Sequence, residues 1–197
     1  MRAGELHAAI VPWKPSRTAH GCVPMSTLTS VVEITLVPWG PGDRPLLEKL
    51  LGDPTMMEHL GGPETGEQIA ARQRRYEQMG PDTGRVFKVV DDDSGEAAGS
   101  VLYWEREWRE EQVWEIGWSV LPAFQGRGIA GAATAKAIDA ARADGAHRFV
   151  HAFPSVANGP SNALCRKLGF ALVEERDFEY PKGHFMRCND WRLDLVG

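Results

Sequence analysis

Residues 114–130 read Trp-Glu-Ile-Gly-Trp-Ser-Val-Leu-Pro-Ala-Phe-Gln-Gly-Arg-Gly-Ile-Ala, an apolar strand-like run that passes through a two-glycine turn into an alanine-rich segment. A strand feeding a helix through so short a turn confines the chain to folds in which helices cover a sheet. The first N–H groups of such a helix lack intrahelical partners, and with the helix dipole they attract phosphate oxygens. In the turn Gln125-Gly126-Arg127-Gly128-Ile129-Ala130, the two glycines clear side chains from an anion's path and Ala130 keeps the first turn narrow. Arg127 either adds a charge-assisted contact to phosphate or points to solvent. Two other phosphate loops fit poorly. A nucleoside-triphosphate loop needs Gly-x-x-x-x-Gly-Lys followed by Ser or Thr, and a dinucleotide fingerprint needs different glycine offsets and a later acidic residue.

The rest of the chain supplies elements for one mixed sheet. Val31 to Val37 has strand composition, and Pro38 with Gly40-Pro41-Gly42 ends it. Asp43 is placed to cap a helix with Leu46, Leu47, Leu50 and Leu51 on one face; Asp53-Pro54 starts a second helix; Thr65 and Gln68 form a capping box for a third, to about Met79. The period then changes, predicting strands at 85–90, 97–105 and 112–120, joined by an acidic turn at 91–95 and a charged tip at 106–111. A helix over 127–143, a strand at 147–153, a short helix over 161–168 and strands at 170–178 and 184–194 complete the order. This is an α/β chain with one mixed, mostly antiparallel central sheet flanked by helices.

Charge and composition remove several functions. The chain has 197 residues, with 22 Lys and Arg against 27 Asp and Glu, so it has no general attraction for nucleic-acid backbones. The Arg72, Arg74 and Arg75 cluster reads as a solvated helix face. Three cysteines, Cys22, Cys165 and Cys188, form neither a disulfide framework nor a zinc spacing, which fits a reducing cytoplasm. Residues 1–27 have no continuous apolar core for a signal peptide or membrane span, and read as a flexible extension before a single domain over 28–197.

A second motif gives the glycine turn its meaning. Asn158-Gly159-Pro160-Ser161-Asn162-Ala163-Leu164-Cys165-Arg166-Lys167-Leu168-Gly169-Phe170 follows the next strand. Together the two segments resemble the GCN5-related N-acetyltransferase superfamily: Gln125, Gly128 and Ala130 fit its acetyl-CoA motif, and the second segment fits its Asn-x-x-Ser helix ending in Lys-Leu-Gly-Phe. The order of elements from about Val31 to Leu195 also follows the family, and Glu-Ile-Gly-Trp-Ser-Val looks like the branch with ribosomal-protein N-terminal acetyltransferases.

The resemblance implies an acetyl-CoA-dependent transfer to a primary amine, on a small molecule or a protein N-terminus, with no metal. It implies a splay between strands four and five that admits the pantetheine arm along the backbone of Trp118, Ser119 and Val120. Gly117 would then provide the bulge that opens the gap; otherwise it relieves packing between Trp114 and Trp118. An unprotonated amine attacks the thioester, and a rigid N–H donor, expected at Val120, stabilises the developing oxyanion. Glu115 leads as base, with a solvated or ion-paired role as its alternative; His151 is a second base candidate or a core histidine. Relatives often carry tyrosine as an acid where this chain has Cys165, so the thiol is either a substitute acid or structural. Asn158 and Ser161 face the cofactor by resemblance, or cap a helix. The acceptor would meet residues 43–79 and the final hairpin, including Tyr180, His184, Phe185 and Trp191, and the chain's aromatics would also suit a homodimer contact. The rival reading is a module that binds acetyl-CoA without turnover.

Overall fold

A computed structural model of the chain describes residues 32–179, 183 and 185–196. The expected extension at 1–27, Cys22, Tyr180 and His184 lie outside the described residues. Strands β1 (Ile34–Pro38), β2 (Gly84–Asp91), β3 (Ala97–Trp108), β4 (Glu111–Val120), β5 (Phe149–Ala152), β6 (Ala171–Glu179) and β7 (Phe185–Asp194) form one sheet in the order β1-β2-β3-β4-β5-β7-β6. Every neighbouring pair is antiparallel except β4 and β5. A parallel pair needs a crossover, and helix α3 (Ile129–Asp144) supplies it. The other helices are α1 (Arg44–Leu51), α2 (Gly66–Gln78) and α4 (Gly159–Lys167).

The alanines of α3 explain how the crossover packs. Ala133, Ala137 and Ala141 recur every fourth residue and are at most 1% exposed, so a stripe without bulk lies against Tyr103, Trp114 and Val150 of the sheet. Cys165 of α4 joins the same core. A second core lies under α1 and α2, where Leu46, Leu47, Leu50, Ile69 and Tyr76 meet Trp39 and Val86. Hydrogen bonds seat α2 there: Trp39 Nε1 donates to Gln73 Oε1 at 3.0 Å, and Gln73 Nε2 donates to the Gly40 carbonyl at 3.0 Å.

Local chemistry decides the boundaries. The capping box is formed, with Gln68 N–H donating to Thr65 Oγ1 at 3.3 Å and Thr65 N–H to Gln68 Oε1 at 2.7 Å. Asp43 instead directs its carboxylate to Gly40 N–H at 2.8 Å and to Lys88, so it closes the turn before α1 rather than capping the helix. Asp53 does cap Thr55 and Met56, but residues 54–61 remain hydrogen-bonded turns, because Gly61-Gly62-Pro63 allows no further helical growth. The charged segment at 106–111 is mostly strand. Its turn is only Arg109-Glu110, both at positive φ (54° and 64°), which matches the twist of a two-residue hairpin.

Candidate active site

β4 keeps continuous register with β3 from Glu111 to Val120, so no bulge occurs at Gly117. The opening arises on the other edge. β4 pairs with β5 only at Trp114↔Val150 and Glu115↔His151, and β4 then runs on through Val120 with no strand partner on that side among the described residues. The backbone of Trp118, Ser119 and Val120 therefore borders the divergence. A methyl group at Gly117 would stand 3.5 Å from the ring of Trp104 on β3 and 3.7 Å from Leu102, ordinary contact distances, so the neighbour packed at Gly117 is Trp104 and not Trp114 or Trp118.

The glycine turn stands at the end of this opening. Gly126 and Gly128 have φ of 75° and 87°, a conformation costly for residues with a Cβ, and no heavy atom lies within 4 Å of where a Gly126 Cβ would be. The α3 ladder begins with Ala132 N–H donating to the Gly128 carbonyl at 3.1 Å, which leaves the N–H groups of Ile129, Ala130 and Gly131 without a partner among the described residues. Gly126, Gly128, Ile129, Ala130 and Gly131 line one cleft with Glu115, Ser119 and Val120, and its volume is about 1350 Å³. Gln125 steadies the turn by donating its side-chain amide to the Val120 carbonyl at 2.9 Å. Arg127 turns to Asp91, at 2.9 and 3.1 Å from its two oxygens, with Phe124 beneath the guanidinium. Asp91 is thus a fully buried anchor and not part of an exposed tip, and Arg127 and Ser94 hold its carboxyl below the usual range despite burial, with Ser94 the larger influence.

Asn158 Oδ1 accepts from Ser161 N–H at 3.1 Å, so Asn158 caps α4 while both residues line the cleft. The neighbouring Asn162, buried and unforeseen in the sequence, fixes that helix end. Its Nδ2 donates to the Ser155 and Asn158 carbonyls, and its Oδ1 accepts from Asn189 and from Trp191 Nε1. This bonding joins the start of α4 to β7.

Glu115 lies in the cleft wall at 8% exposure and pairs with Arg106 of β3. Burial raises its carboxyl above the ordinary value, and Arg106 and then His151 oppose that rise. His151, its register partner, is also buried, and its Nδ1 is 2.6 Å from Asp190 Oδ1 on β7. Trp108 Nε1 donates to the other Asp190 oxygen at 3.0 Å. Asp190 and Arg106 were not legible as site residues because each meets its partner across strands distant in sequence. Cys165 is fully buried in the core, away from the cleft lining, and burial pushes its thiol up to about 12. Among the described residues no group of three or more His, Cys, Asp or Glu side chains is arranged to hold a metal, and no helix is long and apolar enough to cross a membrane.

Comparison with known proteins agrees with this geometry. Residues 33–171 match the family model described as an acetyltransferase (GNAT) domain. No curated protein matches the chain. Among solved structures, a GNAT-family acetyltransferase from Bacillus anthracis aligns with TM-score 0.70 at 16% identity, over 85% of this chain and 98% of the other. A spermidine N-acetyltransferase from Vibrio cholerae, in complex with coenzyme A and spermine, gives 0.69 at 17% identity over 83% and 96%. A ribosomal L7/L12 alpha-N-protein acetyltransferase with coenzyme A gives 0.69 at 17% identity over 84% and 96%. Equal similarity to these last two singles out no branch, the ribosomal-protein branch included. The glycine turn, the split strand pair and the family match together place this chain in the GNAT acetyltransferase family.

Proposed function

We propose that the protein is an acetyl-CoA-dependent N-acetyltransferase that passes an acetyl group to a primary amine, on a small molecule or a peptide N-terminus, by direct attack on the thioester. One observation carries this reading: the unpaired edge of β4, the donor-rich start of α3 and the buried carboxylate of Glu115 open into the same cleft. Bound acetyl-CoA supplies an already activated thioester. The N–H groups of Ile129, Ala130 and Gly131, with the clearance at Gly126 and Gly128, would hold the pyrophosphate. Asn158 and Ser161 would border the pantetheine arm opposite Trp118, Ser119 and Val120, whose backbone would orient it and stabilise negative charge on the carbonyl oxygen. Arg127 would serve through Asp91, keeping the turn in place.

Glu115 would accept the proton that the attacking amine loses, because its raised pKa brings it closer to the acceptor's own and it borders the cleft. His151, turned to Asp190 and outside the cleft lining, would act on Glu115 as a neighbouring polar group. Cys165 is a poor acid for the leaving thiolate, since a thiol raised to about 12 gives up its proton uphill. Among the described residues no thiol lines the cleft, which favours one second reading, a protein that binds acetyl-CoA without turnover. Coenzyme A titration by calorimetry, followed by acetyl-CoA incubation with an amine and peptide panel read by product mass, separates the two. Binding with amine-dependent transfer supports the enzyme; binding with no transfer across the panel supports the module; no binding at all overturns both.

A further inference from the structure

Beyond Gly117, away from the phosphate turn, the cleft continues between β3 and α2. Its lining there combines apolar Leu102, Trp104, Tyr76 and Met79, with Phe153 and Met186 from the β5 and β7 side, and the polar Arg72, Arg75, Gln78, Thr83 and Arg106. Trp104 is half-buried, lines the cleft, and brings the edge of its indole to Gly117, two residues past the last β4–β5 pair, so it borders the divergence. The total volume, about 1350 Å³, exceeds the roughly 300–1,000 Å³ of a typical single-ligand pocket. A second, modest molecule has room next to the acyl donor.

The charges in that half of the cleft are largely satisfied within the chain. Glu115 is paired with Arg106, and Arg72 with Glu64, whose Oε2 accepts from Arg72 Nε at 3.0 Å. Among the described residues, what remains at the rim is exposed Glu58 and exposed Arg75, one of each sign, beside half-buried His59. The aromatic faces that might hold a ligand's cation already carry guanidinium groups. Arg72 and Arg75 lie 6.0 and 5.8 Å from the Tyr76 ring centroid, and Arg106 lies 5.3 Å from that of Phe153. Among the described residues, a molecule with several ammonium groups would find there one carboxylate outside an ion pair, Glu58, and three arginines, two of them paired. An uncharged body with one amine would lose little solvation against these walls, and would gain stacking on Trp104.

We infer that the acceptor is a small monoamine borne on a flat aromatic or apolar body, seated against Trp104, and not a polyamine, an aminoglycoside or a peptide. This deepens the acetyltransferase reading and rests on it. The amine reaches Glu115 as its body covers Trp104, and the proton released on N–C bond formation passes to the carboxylate while the thiolate of coenzyme A departs.

The test is steady-state acetyl transfer from acetyl-CoA to tryptamine, 2-phenylethylamine, spermidine, kanamycin and an unblocked hexapeptide. The two arylalkylamines should exceed the other three in kcat/KM by at least about tenfold, the scale of discrimination an apolar pocket supplies. Trp104→Ala should lower kcat/KM for tryptamine by about tenfold, roughly the loss of one aromatic contact with its buried area, through KM and with coenzyme A affinity unchanged. If Trp104→Ala does not fold, Trp104→Phe and Trp104→Leu make the comparison, with Phe retaining more activity than Leu. Preference for spermidine, kanamycin or the peptide overturns this inference while leaving the acetyltransferase reading standing, and so does an unchanged KM for tryptamine in the Trp104 variants. Coenzyme A binding without transfer to any of the five overturns both.

Discussion

At the scale of single residues, the site depends on how burial and one ion pair act on Glu115. Its carboxyl is raised above its ordinary value of 4.5, so the folded chain binds that proton more tightly than the unfolded chain does. Glu115 therefore favours the folded state below pH 4.5, and that contribution is lost as pH rises through the raised value. With Glu115 as the proposed base, the acid limb of the pH–kcat/KM profile should lie above pH 4.5. Glu115→Gln should remove that limb and lower turnover by about 10²–10⁴-fold, most severely on the plateau above the limb, where the carboxylate is ionised. An unchanged profile would exclude Glu115 as the base. The thiols give a second outcome. Burial pushes Cys165 up to about 12 and Cys188 up to about 11, so neither should react with iodoacetamide at pH 8 in the native protein, as read by peptide mass. Rapid native labelling of Cys165 would contradict its burial. The sequence made Glu115 and His151 visible as candidates because ionisable groups are conspicuous in apolar strands. It did not reveal that His151 faces Asp190 or that Arg106 holds Glu115, since those partners are chosen by strand pairing.

At the scale of elements, the turn into α3 was the most readable part of the chain. Glycine at two positions with positive φ, followed by small residues, is a local solution to a local requirement. Gly128→Val should strain this turn by about 1–3 kcal/mol and fill the space beside Ile129 N–H, so coenzyme A affinity should fall at least tenfold with the far-ultraviolet dichroism retained. Calorimetric titration checks this, and undiminished affinity would remove the proposed phosphate seat. Capping at Thr65 was equally legible, because both partners lie within one helical turn. Other element boundaries were less so. Asp43 has the composition of a helix cap, yet Lys88 on β2 competes for its carboxylate, and the segment at 54–61 has a cap without the length to propagate a helix.

At the scale of the whole molecule, the sheet holds β4 and β5 together at one end and lets them part at the other. Trp114 and Val150, both fully buried, form the last core pair before the divergence, and Tyr103 meets Trp114 edge-on with centroids 5.1 Å apart. Trp114→Ala should cost about 3–5 kcal/mol of stability, measured by urea denaturation, whereas Trp118→Ala at a half-buried position should cost less. Equal losses would mean that the core is not centred there. The sequence by itself determined the type and order of most elements, the glycine turn into α3 and the mixed sheet, because periodicity, glycine and capping act over a few neighbouring residues. Only the tertiary structure decided where the two strands part, that Trp104 packs beside Gly117, and which charges neutralise each other around Glu115. Those outcomes depend on contacts between strands far apart along the chain, whose register is set by the packing of the whole sheet.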